Sequence, residues 1–302
     1  MYKKATLLIV ALAAAAIFLV LPAWAETFPV SLVPDSVRWV AHLDMGRFVA
    51  TKLYEYLDKS GRFMVKSRDF TRWLKIDVSR DITGLTIFGL GPGERQNVFV
   101  LSGKFDKKRL LTLFSLDDGY REVPYGGYTL HLIGGGAGAF IRDDVIVYSD
   151  SREAVEKVLD TAAGKAENFA ASKLNAAMKD VPSNAFVSVV VGDLAGLGKE
   201  INQSKLLEKA SGLFFMAQEK DDNLQVRAQV TADSPENAAN MADMLQGIIA
   251  LERMSDEAKV ASLLESVQVK LEGKALRLEF SRPSWEIADL ISSGRMPHTF
   301  FD

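Results

Sequence analysis

The chain of 302 residues contains no cysteine. Disulfides, thiolate metal sites, thiol nucleophiles and a lipid anchor on an N-terminal cysteine are therefore excluded, and an exported form must be stabilised by an ordinary hydrophobic core. Histidine is nearly as scarce, with three residues in the whole chain, His42, His131 and His298. Because metal centres in proteins draw heavily on these two residue types, the sequence predicts no metal site.

The motifs of the common catalytic centres are also missing. No G-x-S-x-G, S-x-x-K or H-E-x-x-H sequence occurs, and there is no G-x-x-x-x-G-K-[ST] phosphate loop. The sequence therefore predicts no catalytic residue and no cofactor. Acidic residues are abundant, with 39 Asp and Glu, so a hydrolase with an unrecognised carboxylate site remains the alternative to a non-catalytic protein.

Only one stretch of the sequence is long and apolar, and it lies at the N-terminus. Two lysines precede an apolar run from Ala5 to Leu21, and small residues then lead to Ala25 and Glu26. This order predicts a secretory signal peptide over residues 1–25, cleaved between Ala25 and Glu26, and hence a periplasmic or extracellular protein. An uncleaved membrane anchor is the alternative, although the run would span only about 25 Å of a bilayer core about 30 Å thick.

Neither sign of charge dominates the chain. The 36 Lys and Arg against 39 Asp and Glu give a formal net charge of −3. A mildly acidic protein has no overall attraction to nucleic acid or to an anionic membrane, so nucleic acid is not expected as a partner. Any attraction to an anionic surface has to be local.

Beyond residue 25 the hydrophobic pattern alternates between strand-like and helix-like segments. Strands are predicted at 37–44, 84–90, 97–103, 128–133, 139–149, 184–192, 212–219, 224–232, 266–273 and 274–281. Helices are predicted at 45–57, 62–75, 106–114, from a cap at Asp150 to Gly164, in two short stretches before residue 210, after Ser234 and after Pro283.

The order strand, helices, hairpin, helix, hairpin, helix thus occurs twice, over 37–163 and 184–292. The predicted fold is α+β, with two related units at 26–165 and 166–302, each a ferredoxin-like core with an added strand and antiparallel-rich sheets covered by helices. We interpret the repetition as an internal duplication. Because residue identity between the halves is slight, chance agreement among alternating elements is the alternative.

A glycine cluster, Gly134 to Gly138, raises the question of a phosphate site. Gly134, Gly136 and Ala139 match the spacing G-x-G-x-x-A. A dinucleotide loop needs a strand before it and a helix after it, because the helix N-terminus meets the pyrophosphate. Here a strand follows, so the cluster is predicted to be a flexible connection between two strands, corresponding to the turn at 272–275 in the second half.

His42 and Asp44 lie two residues apart on the first predicted strand, and such residues point to the same side. A His-x-Asp pair of this kind can begin a metal site, with His131 as a further ligand if its strand lies beside the first. The simpler interpretation is a half-exposed histidine on the polar side of the strand, with Asp44 capping the helix that begins at Met45.

One basic segment stands out, from Arg62 to Lys75. Arg68, Arg72 and Lys75 share one face of the predicted helix, and like charges at this spacing destabilise it by a few tenths of a kcal/mol. Acidic groups elsewhere in the fold or an external anionic partner would compensate them. These three residues are the candidate partner-binding site, and the partner would be an envelope protein, a glycan or an anionic lipid surface.

Three segments, "LVPDSVRWVAHLDMGRF", "IDVSRDITGLTIFGL" and "GKFDKKRL", carry a resemblance to a wider group. The mature chain resembles exported bacterial proteins of unknown function with duplicated α+β repeats. The resemblance implies export and duplication, and it implies no activity. The sequence as a whole therefore predicts an exported, non-catalytic binding or structural protein of the cell envelope. The alternatives are the hydrolase and an accessory protein tethered by its uncleaved N-terminal helix.

Overall fold

The computed structural model describes residues 28–61, 76–91, 97–194, 207–253 and 258–293. In chain order the helices and strands of these residues are β1 (Trp39–Asp44), α1 (Met45–Val49), α2 (Lys52–Lys59), α3 (Val78–Asp81), β2 (Ile82–Gly89), β3 (Asn97–Gly103), α4 (Lys107–Phe114), β4 (Arg121–Tyr125), β5 (Tyr128–Ile133), β6 (Gly136–Arg142), β7 (Val145–Ser149), α5 (Arg152–Ala162), α6 (Asn175–Lys179), β8 (Ala185–Val191), β9 (Ala210–Lys220), β10 (Asn223–Ala232), α7 (Pro235–Arg253), α8 (Ala258–Glu265), β11 (Gln268–Glu272), β12 (Ala275–Pro283) and α9 (Ser284–Ser292). The fold is α+β, as predicted.

These elements form two compact units. The amino-terminal unit contains the described residues 28–47, 76–91 and 97–180, and the carboxyl-terminal unit contains 48–61, 181–194, 207–253 and 258–293. The units therefore interleave in the sequence, because the segment with α2 belongs to the carboxyl-terminal unit.

The amino-terminal unit has an antiparallel sheet in the order β1-β2-β3-β7-β6-β5-β4. Helix α5 packs against β3, β6 and β7, and against the 3-10 turn Val30–Leu32. Its inward stripe contains Val155, Val158 and Leu159, all of which are buried. This apolar stripe at helical spacing, predicted from the sequence, holds the helix on the sheet.

The carboxyl-terminal unit has an antiparallel sheet in the order β8-β9-β10-β12-β11. Helix α7 packs against β10, β11, β12 and α8, while α9 packs against α2, β10 and β12. The residues predicted to face inward on α7 are all buried, namely Ala238, Met241, Ala242, Leu245, Ile248 and Ile249. Ser234 caps this helix by accepting a hydrogen bond from the Asn237 amide at 3.1 Å.

Glu219 at the end of β9 fixes α2 and α9 within the carboxyl-terminal unit. Its carboxylate accepts hydrogen bonds from the backbone amides of Lys52, at 2.6 Å, and Leu53, at 2.8 Å. It also accepts a hydrogen bond from the hydroxyl of the buried Ser284 at the start of α9. A carboxylate at this position satisfies amides that have no partner within their own helix, and it also interacts favourably with the helix dipole.

In both sheets the first three strands pair in chain order, and the third strand then pairs with the last strand of its own sheet, β3 with β7 and β10 with β12. This arrangement differs from the ferredoxin-like core that the element order suggested. In a split β-α-β motif the strands on either side of a helix are parallel, whereas β1 and β2 here pair antiparallel. The predicted hairpins β2–β3, β9–β10 and β11–β12 are present, whereas β4 was not predicted and the parallel pairing of a ferredoxin-like core does not occur between β1 and β2.

Three predicted boundaries also need correction. The helix expected over 45–57 is two helices, because Thr51 is extended (φ −82°, ψ 153°) and caps α2 by accepting from the Tyr54 amide. The strand expected over 139–149 is the hairpin β6–β7, which turns at Asp143 and Asp144. Helix α5 is capped by Ser151, which accepts from the Ala154 amide, and not by Asp150.

The glycine cluster does contain the predicted connection between two strands, but only Gly134 and Gly135 form it, and Gly136 to Gly138 belong to β6. Gly134 and Gly135 make the turn between β5 and β6 with φ of +58° and +84°, values that favour glycine. Gly136 lies in β6, where a Cβ would stand 2.6 Å from the Tyr148 hydroxyl oxygen. The turn at 272–275 joins β11 to β12, so by strand order it corresponds to the turn at 143–144 and not to the glycine cluster.

No helix within the described ranges is long and apolar enough to cross a membrane. The predicted signal peptide, residues 1–25, and the predicted helix at 62–75 lie outside the described residues.

Candidate functional site

The residues predicted to bind a partner, Arg68, Arg72 and Lys75, lie outside the described residues. The other groups singled out in the sequence, the histidines of β1 and β5, lie in the amino-terminal unit. The described part of the chain contains no group of three or more His, Cys, Asp or Glu side chains that could hold a metal ion.

The β1 pair has a different environment from the one expected. His42 is 7% exposed and Asp44 is 1% exposed, so the side predicted to be polar and half-exposed is the buried one. His42 Nδ1 lies 2.9 Å from Thr86 Oγ1, and its ring meets Phe28 edge-on at 5.7 Å. Asp44 does cap the following helix, since its Oδ1 accepts from the Arg47 amide at 3.0 Å. Both side chains therefore serve the core and the helix start.

His131 on β5 is buried and forms a polar cluster with the partly exposed Tyr120 and with Glu122 of β4, which is exposed. The Tyr120 hydroxyl donates to Glu122 Oε1 at 2.6 Å and lies 2.9 Å from His131 Nδ1. Because the single hydroxyl proton goes to Glu122, Nδ1 carries the proton that it donates to the Tyr120 oxygen. Burial and the Glu122 carboxylate raise the pKa of Tyr120 to about 12, which keeps the phenol neutral.

The pKa of His131 is lowered from its ordinary value of 6.5, chiefly by burial; Lys107 lowers it further and Glu122 opposes the shift. Between the lowered folded pKa and about 6.5 the unfolded chain binds more protons, so stability falls as the pH drops through this range and is fully present above it. We expect His131→Gln, which cannot titrate, to lose less stability than the wild type between about pH 7.5 and about pH 5. Urea unfolding of both proteins at the two pH values measures this, and equal losses would contradict it.

The carboxyl-terminal unit contains a polar pocket of about 490 Å³. This volume falls within the range of small-molecule sites. Its walls come from β9, β10, β12, the start of β11 and the end of α8, with the lining residues Met216, Gln218, Gln225, Val226, Arg227, Glu265, Ser266, Gln268, Glu279, Phe280 and Ser281.

Strand register brings these polar side chains together. Gln225 lies opposite Gln218 on one side and Ser281 on the other. Two residues further along, Arg227 lies opposite Met216 and Glu279, and Glu279 lies opposite Gln268. Because alternate residues of a strand point to one face, these two rows form one surface across the sheet, which is polar except at Met216.

The second row is centred on a charged network. Glu279 accepts a hydrogen bond from Arg227 Nε at 3.1 Å and one from Lys270 Nζ at 2.9 Å. These two cations lower the pKa of Glu279, Lys270 contributing most. The carboxylate is thus held in its ionised form, and with both oxygens engaged it is neutralised from two sides.

We expect Glu279→Gln to lower the free energy of unfolding by at most about 1 kcal/mol at about pH 7, because all three side chains are partly exposed. The folded pKa is depressed, so this stability is present above the ordinary value of 4.5 and is lost as the pH falls through the folded value. The wild type and the variant should therefore become equally stable near about pH 3 in urea titrations. A gap that persists at low pH would contradict an ionic origin.

The first row contains two side-chain amides, Gln218 and Gln225, whose hydrogen bonds are not all satisfied. Gln218 Nε2 donates to Gln225 Oε1 at 2.8 Å. Gln218 Oε1 is buried and has no hydrogen-bond partner in the described residues. Exchanging oxygen and nitrogen in both amides would leave an unpaired group as well. A buried polar atom without a hydrogen-bond partner lowers the stability of a protein by about 1–3 kcal/mol. The pocket wall therefore contains an unused hydrogen-bond acceptor.

No protein-family model matches the sequence, and no curated protein matches it. Three crystal forms of TP0453 are similar to the chain in structure. Form III gives a TM-score of 0.54 at 12% identity, over 89% of this chain and 99% of that one. Form I gives 0.51 at 11% identity with the same coverage, and form IV gives 0.50 at 9%, over 88% and 97%. At these identities the likeness is one of fold alone.

No sequence pattern points directly to this pocket. The nearest signal is the alternation of polar residues on the two central strands, Gln225, Arg227 and Gln229 on β10 and Arg277 and Glu279 on β12. Such alternation is typical of an ordinary solvated sheet face, so it does not by itself indicate a site.

Proposed function

We propose that the chain is an exported, non-catalytic binding protein of the cell envelope that holds a small polar ligand in the pocket of its carboxyl-terminal unit. The observation that carries the proposal is the pocket itself, in which amide, guanidinium and carboxylate groups from three neighbouring strands converge. The order of segments in residues 1–26 supports export.

The chemistry of Glu279 supports binding over the hydrolase alternative. A hydrolytic carboxylate pair needs one acid whose pKa is raised, so that it can donate a proton near neutral pH. The pKa of Glu279 shifts in the opposite direction, because Lys270 and Arg227 both contact it. The remaining carboxylate of the lining, Glu265, is exposed.

The test is a thermal-shift screen of amino acids, short peptides, sugars and polyols, with product analysis of each mixture. Ser281→Trp fills the pocket with a bulky side chain, and Ser211→Trp is the matched control at an exposed position of β9 outside the lining. We expect compounds that stabilise the wild type and Ser211→Trp but not Ser281→Trp. Stabilisation that is absent, or equal in all three proteins, would overturn the proposal, and turnover would favour the hydrolase. The N-terminal mass distinguishes a chain that begins at Glu26 from a tethered one.

Arg68, Arg72 and Lys75 remain a predicted contact for an envelope protein, a glycan or an anionic lipid surface. Changing all three to Glu should leave folding nearly intact and weaken co-sedimentation with vesicles that contain anionic lipid. The loss should shrink toward about 0.15 M salt, because screening already weakens exposed charge contacts at that concentration. Equal retention of the two proteins at low salt would remove the lipid surface from the alternatives.

We also infer that the two units derive from an internal duplication. The strand order β1-β2-β3-β7-β6 matches β8-β9-β10-β12-β11. Helices α5 and α9 each follow the fourth strand of this order, β7 and β12, and pack against it. The hairpin β4–β5 is then an addition specific to the amino-terminal unit. Superposition of experimental coordinates for the two five-stranded sheets tests the inference, and a mismatch in strand direction or side-chain facing would refute it.

A further inference from the structure

The pocket holds charges of both signs, which restricts the class of ligand that fits it. The cation of the lining is Arg227, and the carboxylates are Glu265 and Glu279. Since Glu279 is engaged by Arg227 and Lys270, those three groups together carry one excess positive charge. Glu265 is exposed at the end of α8 and carries the opposite charge.

The guanidinium of Arg227 is only partly used. Its Nε donates to Glu279, and in the part of the chain that the structure describes no hydrogen bond is formed by either terminal nitrogen. The side chain is 40% exposed, so these nitrogens remain accessible. A guanidinium presents its donors in a rigid fork that matches the two oxygens of a carboxylate. The Arg227 guanidinium therefore fits a ligand carboxylate.

The rest of the wall favours a ligand that supplies hydrogen-bond donors. Gln218 Oε1 is an acceptor without a donor, and Glu265 forms no hydrogen bond or ion pair within the described ranges. An ammonium group has three donors and a positive charge, so it suits both. The pocket volume of about 490 Å³ is larger than a single ammonium or carboxylate group requires, so one ligand can carry both groups.

We propose that the ligand is a short peptide with both ends free, its carboxylate bound by Arg227 and its ammonium group held by Glu265 and the Gln218–Gln225 row. This inference rests on the function proposed above and specifies its ligand class. Binding forms no covalent bond, and its specificity comes from opposite charges that line one pocket.

The experiment titrates the full mature protein by calorimetry with trialanine, with N-acetyl-trialanine and with trialanine amide. Each capped peptide loses one charge and keeps the rest of the molecule. We expect trialanine to bind and each capped form to bind at least about 10-fold more weakly, the loss associated with a hydrogen bond to a charged group. Capped peptides that bind as tightly as trialanine, or no heat from trialanine at about 1 mM, would overturn the proposal.

Variants of two arginines assign the carboxylate site. Arg227→Gln should weaken trialanine binding by at least about 10-fold, and it should leave the affinity for trialanine amide nearly unchanged. Arg277→Gln is the matched control, since Arg277 lies on the same face of β12 outside the lining and bonds Gln229 and Glu272. An equal loss in both variants would contradict the assignment, and circular dichroism verifies folding.

Failure of this inference is distinguishable from failure of the proposed function. Sugars or polyols that stabilise the wild type but not Ser281→Trp, together with no binding of trialanine, would mean that the pocket binds a ligand of another class. Only the peptide assignment would then be wrong. If no compound distinguishes Ser281→Trp from Ser211→Trp, the binding function itself is wrong.

Discussion

Replacing Phe186 by alanine is expected to lower the free energy of unfolding by about 3–5 kcal/mol. Phe186 lies on β8 and is 1% exposed. Its ring meets Phe48 edge-on at a centroid distance of 5.2 Å, and Phe48 in turn meets Tyr54 at 5.5 Å. Truncation removes the ring from this aromatic group and leaves a cavity that surrounding side chains fill only in part.

Urea unfolding monitored by circular dichroism measures the loss. The matched control is Phe99→Ala, because Phe99 is also on a strand and is 39% exposed. A substitution at such a position is expected to cost about 0.5 kcal/mol or less. Similar losses in the two variants would mean that the Phe48–Phe186 contact does not organise the core of the carboxyl-terminal unit.

This contact also explains why the segment around α2 belongs to the carboxyl-terminal unit. Phe48 packs on Phe186, and Glu219 accepts the first amides of α2. The sequence predicted a helix here, but it gave no means of knowing which sheet the helix would join. That choice depends on contacts between residues more than a hundred positions apart.

Strands and helices with a clear apolar period were predicted well. Helix α7 and the strands β9 and β10 follow their patterns closely, and the turn at Asp221 and Asp222 has the positive φ of a hairpin, 51° and 59°. The similar pair at Asp143 and Asp144 was missed. Apolar residues stand on both sides of it, so the pattern read as one continuous strand.

The facing of β1 could not be derived from alternation alone. Apolar residues occur on both sides of this strand, and the sequence-based prediction placed His42 and Asp44 on the side that faces solvent. In the structure Thr86 bonds His42 and Arg47 bonds Asp44, which allows both polar groups to be buried. The Thr86 partner is identifiable only when the register of β2 against β1 is known.

The pocket was beyond prediction for a related reason. Gln218, Arg227 and Glu279 lie on three different strands, and only the register that places Arg227 opposite Glu279 brings them together. Each residue taken singly has the character of an exposed sheet position. A site built from ordinary polar residues has no motif, in contrast to a metal centre or a nucleophile elbow.

The second large effect is expected at Gly103, the last residue of β3. A Cβ at this position would stand 2.1 Å from the Asp81 carbonyl oxygen and 3.0 Å from both the Asp81 carbonyl carbon and Ile82 Cα. All three are backbone atoms, so no side-chain rotation relieves the collision. The Gly103 amide also donates to the Asp144 carbonyl at 2.9 Å, and Lys104 donates to Asp81 at 2.6 Å, which fixes the strand in place.

Gly103→Ala should therefore lower the free energy of unfolding by about 3 kcal/mol, the upper part of the range for overpacking, because β2 and β3 must separate to admit the methyl group. The matched control is Gly247→Ala in the exposed face of α7, where a Cβ meets nothing within 4 Å. There alanine should stabilise the protein by about 0.5–1 kcal/mol, since glycine loses more conformational freedom in a helix. The two variants, which add the same methyl group, should thus shift the urea midpoint in opposite directions. A midpoint for Gly103→Ala equal to that of the wild type would mean that β2 and β3 are spaced more widely there than the structure has them.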